Sequence, residues 1–453
     1  MCCAELRDHV ACPRNSPKLP ETPETRTLRR RAGAAIMGLM QNRREFLGSL
    51  AAAAQAAPKI KTGVIGCGWY GMVDLNAAFR VGGVECVALC DVDNEHLAGA
   101  ATEVEKLQNR RPLTFKHYRD LLDVAGLQAV IIATPPHWHA LPFIDACRRN
   151  LDIYCEKPLA YDVREGRAMI DAAKRSKGVV EIGFQRRQAE AIRQAGRYIR
   201  DGNAGRIVQV EANIHFQAST PDPTPVPPPP ALDWDLWCGP GPKIPYSPAV
   251  GHKNWRLEAT VGNGHLVDWG IHLIDAARNI LGEKTPRIVN ASGGIYELKG
   301  KITTPDTLTA HFEFGACPLV WRHRIWGAAE WAPEVNNGIF FYGNKETVFV
   351  TDDRWIAIPR QKGTKRRVTE IASDAGTLHM ADFLDCVRSR RTPSCQPEDA
   401  WWSTTAVQLA MISYRTGTTV NWDLQREQIS DNPKAARLLK RPYRAPYIHP
   451  YAG

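Results

Sequence analysis

The chain reads as an α/β protein: a Rossmann-type, doubly wound and mostly parallel sheet in the first half, then an α+β domain with an open, mainly antiparallel sheet. Three observations predict this. Between residues 59 and 183, short apolar runs alternate with amphipathic stretches, as crossover connections between parallel strands require. Early in that region, Lys61-Thr-Gly-Val-Ile-Gly66-Cys-Gly68-Trp69-Tyr70-Gly71-Met72 leads from a strand-like run through Gly-x-Gly-x-x-Gly into a helix-like one. After about residue 184 the rhythm changes to longer strand-like stretches separated by turn residues.

Length and composition set the frame. At 453 residues the chain exceeds one compact core. A leader over 1–57, a first domain over 58–183 and a second over 184–453 are therefore expected. No apolar run is long enough to span a bilayer, so membrane insertion is not expected. The formal net charge is +10, and residues 1–57 hold nine Lys/Arg against five Asp/Glu, so four of those charges sit in the leader. The rest form short clusters without a basic stripe interleaved with aromatics, which argues against a nucleic-acid partner. Cys2, Cys3 and Cys12 lie in the leader, and the other cysteines have neither metal nor disulfide spacing.

Within the leader, Asn42-Arg43-Arg44-Glu45-Phe46-Leu47-Gly48 precedes an alanine-rich run containing Ala54-Gln55-Ala56. Twin arginines, a short weakly apolar stretch and a small-residue cleavage site resemble a twin-arginine export signal, with Met37 or Met40 as the start. A periplasmic location is the expectation; a disordered basic tail is the alternative.

Strands are expected at 61–65, 84–90, 112–116, 127–134, 152–155 and 179–183, with helices at 95–107 and 164–174 between them. Gly66 permits a tight turn, Gly68 a close approach of backbone to a pyrophosphate, and Gly71 close helix–strand packing. The helix N-terminus behind them favours an anion. The second apolar run ends in Asp91, about 20 residues past the glycines, where a carboxylate accepts both ribose hydroxyls. That carboxylate would repel an extra phosphate, so NAD is expected over NADP. Ligands bind beyond the carboxyl ends of such strands, which groups Gly66–Gly71, Asp91, Thr134-Pro135-Pro136-His137-Trp138-His139 and Glu156-Lys157-Pro158 at one edge.

Lys157 directly follows a strand, and Pro158 restricts it to extended backbone. At that edge a lysine can exchange a proton with a reacting hydroxyl; elsewhere it would be an ordinary surface lysine. The second constellation is Gly262-Asn-Gly-His265-Leu-Val-Asp268-Trp-Gly-Ile-His272-Leu-Ile-Asp275. A helix over 265–281 places His265, Asp268, His272 and Asp275 on one face, with Asp268 and His272 an i, i+4 pair. A satisfied polar face is the alternative. Ligands on one straight helix cannot surround an ion, so no metal centre is expected.

Strands follow at 206–217, 308–314, 319–326, 338–342 and 347–351, with Gly315-Ala316 and Gly343-Asn344 as hairpin turns. Helices are expected at 189–201, 378–388 and 399–414, and the proline-rich 221–230 reads as a stiff extended loop. Every tryptophan except Trp69 and Trp138 lies beyond residue 230. Flat rings beside Asp, Arg and Gln suit a sugar, although core packing accounts for aromatics equally well.

Gly66-Cys-Gly-Trp-Tyr-Gly71, Ala133-Thr134-Pro135 with His139, Glu156-Lys157-Pro158 and Asp268-Trp-Gly-Ile-His272 together resemble the Gfo/Idh/MocA oxidoreductases. That family includes glucose–fructose oxidoreductase and inositol dehydrogenase, and the likeness runs from about residue 59 to the end. It implies Lys157 as acid/base, His272 as its partner or the main acid/base, and Asp268 orienting His272 or binding substrate. Trp69, Tyr70, Asp91, Thr134, Pro135, His139, Glu156 and Lys157 are then expected around the cofactor, and Gln185, Arg186, Trp255, Arg256, Asp268 and His272 around the substrate. Pro136 replaces the family's usual Asn, which puts an amide contact there in doubt. The implied reaction is hydride transfer between NAD and a sugar or polyol hydroxyl. The alternatives are an NAD-dependent glycosidase with tightly held cofactor and no net redox change, and a sugar-sensing protein without turnover. A homo-oligomer, dimer or tetramer, is expected from an open sheet face.

Overall fold

In the computed structural model, residues 58–252, 254–327 and 336–452 are described. The leader expected over 1–57, with its twin arginines, lies outside them. Six parallel strands, β1 (Ile60–Ile65), β2 (Val84–Cys90), β3 (Leu113–Phe115), β4 (Ala129–Ile132), β5 (Asp152–Glu156) and β6 (Val180–Gly183), form a sheet ordered β3-β2-β1-β4-β5-β6. The chain leaves β1 toward β2 on one side and β4 on the other, so a crevice opens beyond their carboxyl ends.

Both faces of that sheet must be covered, and the near sequence covers only one of them fully. Helices Tyr118–Leu122, Pro136–Arg148 and Val163–Arg175 pack over Val130, Ile132 and Ile153 on one side. On the other, Trp69–Val81 and Asn94–Gln108 are joined by Ala375–Ser389 from near the end of the chain. Its Met380, Phe383 and Leu384 are buried in one cluster with Val64, Leu75, Leu89 and Ile131. The second half of the sequence thus completes the first sheet.

Ten strands make the second sheet: β7 (Ile207–His215), β8 (Ile288–Gly294), β9 (Thr307–Glu313), β10 (Pro318–Arg324), β11 (Asn337–Gly343), β12 (Glu346–Val350), β13 (Arg354–Pro359), β14 (Arg367–Glu370), β15 (Val420–Asp423) and β16 (Gln428–Ile429). Their order is β14-β13-β12-β11-β7-β10-β9-β8-β15-β16, antiparallel except where β7 runs parallel to β10. Gly315-Ala316 turns β9 into β10, and Gly343-Asn344 turns β11 into β12. Helices Glu190–Arg200, Ile271–Leu281 and Pro397–Thr416 lie against it. No helix of the described residues is long and apolar enough to cross a membrane.

Two differences from expectation bear on the site. The segment read as one helix from 265 is a π-helical turn, Leu266–Gly270, followed by an α-helix, Ile271–Leu281. The proline-rich stretch does lack regular structure, and it leads into a lobe anchored beside β2. There Asp93 bridges Leu232, and Asp233 N–H donates to the Val92 carbonyl.

Candidate active site

Gly66 adopts φ +92°, and a Cβ added there would lie 2.8 Å from the backbone of Ala133 and Thr134. One on Gly71 would lie 1.9 Å from the Gly66 carbonyl oxygen. Only glycine allows this turn and this helix to coexist. Around Gly68 the space is open, with only His96 Nδ1 reaching 4.0 Å from such a Cβ. Helix Trp69–Val81 starts without a side-chain cap, so its first N–H groups are available to an anion. The Thr134 hydroxyl is buried without a partner among the described residues.

These groups border a cavity of about 1040 Å³ lined by Gly66, Gly68, Trp69, Tyr70, Asp91, Thr134 and Pro135. Its opposite wall comes from the second half of the chain, including Trp237, His252, Trp255, Arg256 and Tyr447. An open glycine turn, uncapped amides and an orphaned hydroxyl on a long cleft fit a dinucleotide. The Asp91 carboxylate holds the turn itself, accepting from Cys67 N–H at 2.7 Å and Asp93 N–H at 2.9 Å. Burial raises its pKa, and those two hydrogen bonds oppose the rise.

Next to this cavity stands a charged chain. Lys157 Nζ donates to the Asp268 carbonyl at 2.8 Å and to Asp268 Oδ1 at 3.0 Å. Asp268 Oδ2 pairs with Arg256 Nε at 2.9 Å, and Arg256 lines the cavity. Burial alone would raise the Asp268 pKa, but Lys157 and Arg256 hold it below the usual carboxylate range. Arg256 also lies over the Trp255 ring, 4.4 Å from its centroid.

Glu156, at the end of β5, is buried and supports this chain from behind. Its carboxylate accepts from Gln185 Nε2 and from Lys157 N–H. A Cβ on Gly183 would come within 2.3 Å of Glu156 Oε1, so β6 needs glycine there. Burial pushes the Glu156 pKa up against the pull of Lys157, and Asp74, buried nearby, is raised in the same way. Gln185 Nε2 also donates to Tyr154 Oη at 3.2 Å, and Tyr154 Oη lies 3.2 Å from His379 Nδ1.

His272 is buried with its ring edge-on to Phe184. Burial, with Lys157 and Arg186 nearby, holds its pKa well below the usual imidazole value, so the ring is neutral. Its Nδ1 is buried without a partner among the described residues. Arg186 reaches Asp352 Oδ2 at 3.1 Å and stands over Trp269, which is 42% exposed beside Asp268.

Several expectations need correction. Asp268 does not orient His272: its carboxylate is occupied by Lys157 and Arg256, because the π-turn breaks the i, i+4 geometry. Nor do the four polar residues share a face. His265 packs against Phe216 and His323, while Asp275 is tied to Arg187, Arg278 and Ser403. His139 does not face the cavity. It is fully buried, with its ring nitrogens 2.7 Å from the Thr134 carbonyl and 2.8 Å from that of Pro158, bracing two loops together. Glu156 and Lys157, expected around the cofactor, do not line the dinucleotide cavity; Lys157 connects to it through Asp268, which pairs with Arg256 of its wall. Sequence reasoning missed Tyr154, His379 and Asp352, which only the fold brings near these residues, and His252, which it brings to the cavity wall.

Three family models match the chain: an oxidoreductase-family NAD-binding Rossmann fold over 60–184, a GFO/IDH/MocA C-terminal domain over 192–345, and an oxidoreductase-family C-terminal alpha/beta domain over 336–449. D-apiose dehydrogenase of Paraburkholderia graminis is 32% identical over 389 residues, covering 82% of this chain and 92% of that protein. The chain belongs to the Gfo/Idh/MocA oxidoreductases. Its first sheet is that family's NAD-binding Rossmann domain. Levoglucosan dehydrogenase of Pseudarthrobacter phenanthrenivorans is 33% identical over 167 residues, which span 37% of this chain and 36% of that protein. Inositol 2-dehydrogenase of Salmonella typhimurium is 32% identical over 163 residues, 36% of this chain and 47% of that protein. Both matches therefore span less than half of the relative's length. In structure, a levoglucosan dehydrogenase complex with NADH and levoglucosan aligns with a TM-score of 0.64 at 20% identity, covering 80% of this chain and 99% of that one. At that identity the likeness is one of fold.

Proposed function

We propose that this chain oxidises a hydroxyl of a sugar or polyol, with Lys157 as the group that takes and returns the hydroxyl proton. The observation that carries the reading is the chain Lys157–Asp268–Arg256, which ties the lysine after β5 to the wall of the dinucleotide cavity. Relatives named as D-apiose, levoglucosan and inositol dehydrogenases support the substrate class. NAD, when bound, supplies the hydride acceptor. NAD is favoured over NADP because the Asp91 carboxylate stands at the end of β2.

Lys157 Nζ has three positions, and Asp268 engages two of them. The third is the one offered to a substrate oxygen. Once Nζ is a free amine, that position accepts the hydroxyl proton; in the reverse direction it donates one. Asp268 fixes the direction of Nζ, and Arg256 keeps Asp268 in place. His272, held neutral, is a second acceptor for a neighbouring hydroxyl. Trp255 and Trp269 offer flat apolar faces for ring C–H groups. Export through the twin-arginine route and assembly into a homo-oligomer belong to the same reading.

The test is a panel of sugars, polyols and aryl glycosides given to the purified protein with NAD, followed by NADH absorbance and aglycone release. Net NADH with at least one sugar or polyol is the expected result. Aglycone release without net NADH would replace the reading with an NAD-dependent glycosidase, and neither signal across the panel would remove it.

A further inference from the structure

We propose that Asp93, His96 and His252 form a binding site for one divalent transition-metal ion at the rim of the dinucleotide cavity. Each residue offers one ligand atom, and the three atoms lie within 4.8 Å of one another. They come from separate parts of the fold: the N-cap of helix Asn94–Gln108, its first turn, and the lobe that forms the opposite cavity wall. Asp93 Oδ1 is already committed, accepting from Glu95 N–H at 2.8 Å and His96 N–H at 3.1 Å. That leaves Oδ2, which faces His252 Nε2 at 3.3 Å.

The two imidazoles lie close, with ring centroids 4.3 Å apart. Neither ring nitrogen of His96 has a hydrogen-bond partner among the described residues, and its Nδ1 faces the open space at Gly68. Two imidazoles and one carboxylate on one side of an ion leave further positions open toward the cavity. Such a donor set suits zinc, cobalt or manganese and disfavours magnesium, which prefers oxygen. The positive end of helix Asn94–Gln108 opposes a cation, but both of its nearest amides are spent on Asp93 Oδ1. Asp91, next along the same turn, adds a second carboxylate nearby.

Among the described residues, the other cluster of comparable composition, Asp162, Glu165 and His449, is already neutralised by the Arg441 guanidinium. Arg441 Nε donates to Glu165 at 2.8 Å, and Arg441 N–H donates to Asp162 at 3.0 Å. Among the described residues, no guanidinium or ammonium is paired with Asp93. An ion at Asp93 would clamp the lobe carrying His252, Trp255 and Arg256 onto the Rossmann sheet, beside the dinucleotide.

The test is a cobalt(II) titration of the full chain after dialysis against a chelator, followed by visible d–d absorption. One cobalt per chain is expected, without the thiolate charge-transfer band that the leader cysteines would produce, and displaced by zinc. His96→Gln and His252→Gln should each weaken it at least about tenfold, and His449→Gln should not. Metal-free melting curves and far-UV circular dichroism of the two variants establish that they are folded. Absence of d–d bands at saturating cobalt, or bands that persist unchanged in both variants, would overturn the site.

Discussion

The lysine after β5 takes its chemical meaning from Asp268 rather than from its own position. Two cations share one buried carboxylate, and removing its charge leaves both partially unpaired. Asp268→Asn is expected to lower stability at neutral pH by about 1–3 kcal/mol. Because the folded carboxyl is held below its unfolded value, the stabilisation is complete above about pH 4 and is lost as pH falls through the folded pKa. Denaturant unfolding of wild type and variant should therefore differ at pH 7 and converge in acid; a gap independent of pH would contradict the pairing. Gly66, Gly68, Asp91 and Lys157 were legible because local order along the chain determines where they sit relative to a strand end. His139 was misread because spacing alone cannot reveal that both its ring nitrogens are already taken. His252 and Tyr154 had no local signal, since their partners are far away in sequence.

At the level of elements, the π-turn at Leu266–Gly270 decides how the second constellation is used. A straight α-helix would aim Asp268 at His272; the wider turn turns it to Lys157 and leaves Trp269 outward. The i, i+3, i+7 spacing is compatible with both geometries, which is why sequence favoured the commoner one. Gly270 is closely packed, and a Cβ there would meet Leu266 and Trp321 at 2.9 Å. Gly270→Ala should cost about 1–3 kcal/mol and lower kcat more than dinucleotide affinity, measured by steady-state kinetics beside NAD titration. Gly71→Ala has the opposite signature: its Cβ meets the backbone oxygen of Gly66, which cannot move aside without opening the turn. Dinucleotide binding, read by fluorescence titration, should then fall below detection. Unchanged affinity would show that the turn is looser than described. The early strands were legible from their apolar runs, whereas β14 (Arg-Val-Thr-Glu) and β15 (Val-Asn-Trp-Asp) contain no such run.

Across the whole molecule, the two halves expected from sequence are interlocked. Helix Ala375–Ser389 covers the Rossmann sheet, and helix Pro397–Thr416 packs on Val163–Arg175, with Trp401 Nε1 donating to the Val163 carbonyl at 3.1 Å. Linear reading assigned these helices to the second half because nothing in their periodicity says which sheet they cover. A fragment of residues 58–183 should accordingly expose an apolar face, bind a hydrophobic dye and melt without a cooperative transition. Phe383→Ala in the full chain should cost about 3–5 kcal/mol. The same interlocking puts Trp255 and Arg256 across the dinucleotide cavity from the glycine turn and carries charge through Asp268 to Lys157. Single-turnover NADH formation by Lys157→Ala, with a substrate found in the panel and NAD affinity measured in parallel, examines that link most directly. The account predicts near-normal NAD binding with NADH formation slowed by about 10²–10⁴-fold; a variant that turns over at the wild-type rate would contradict it.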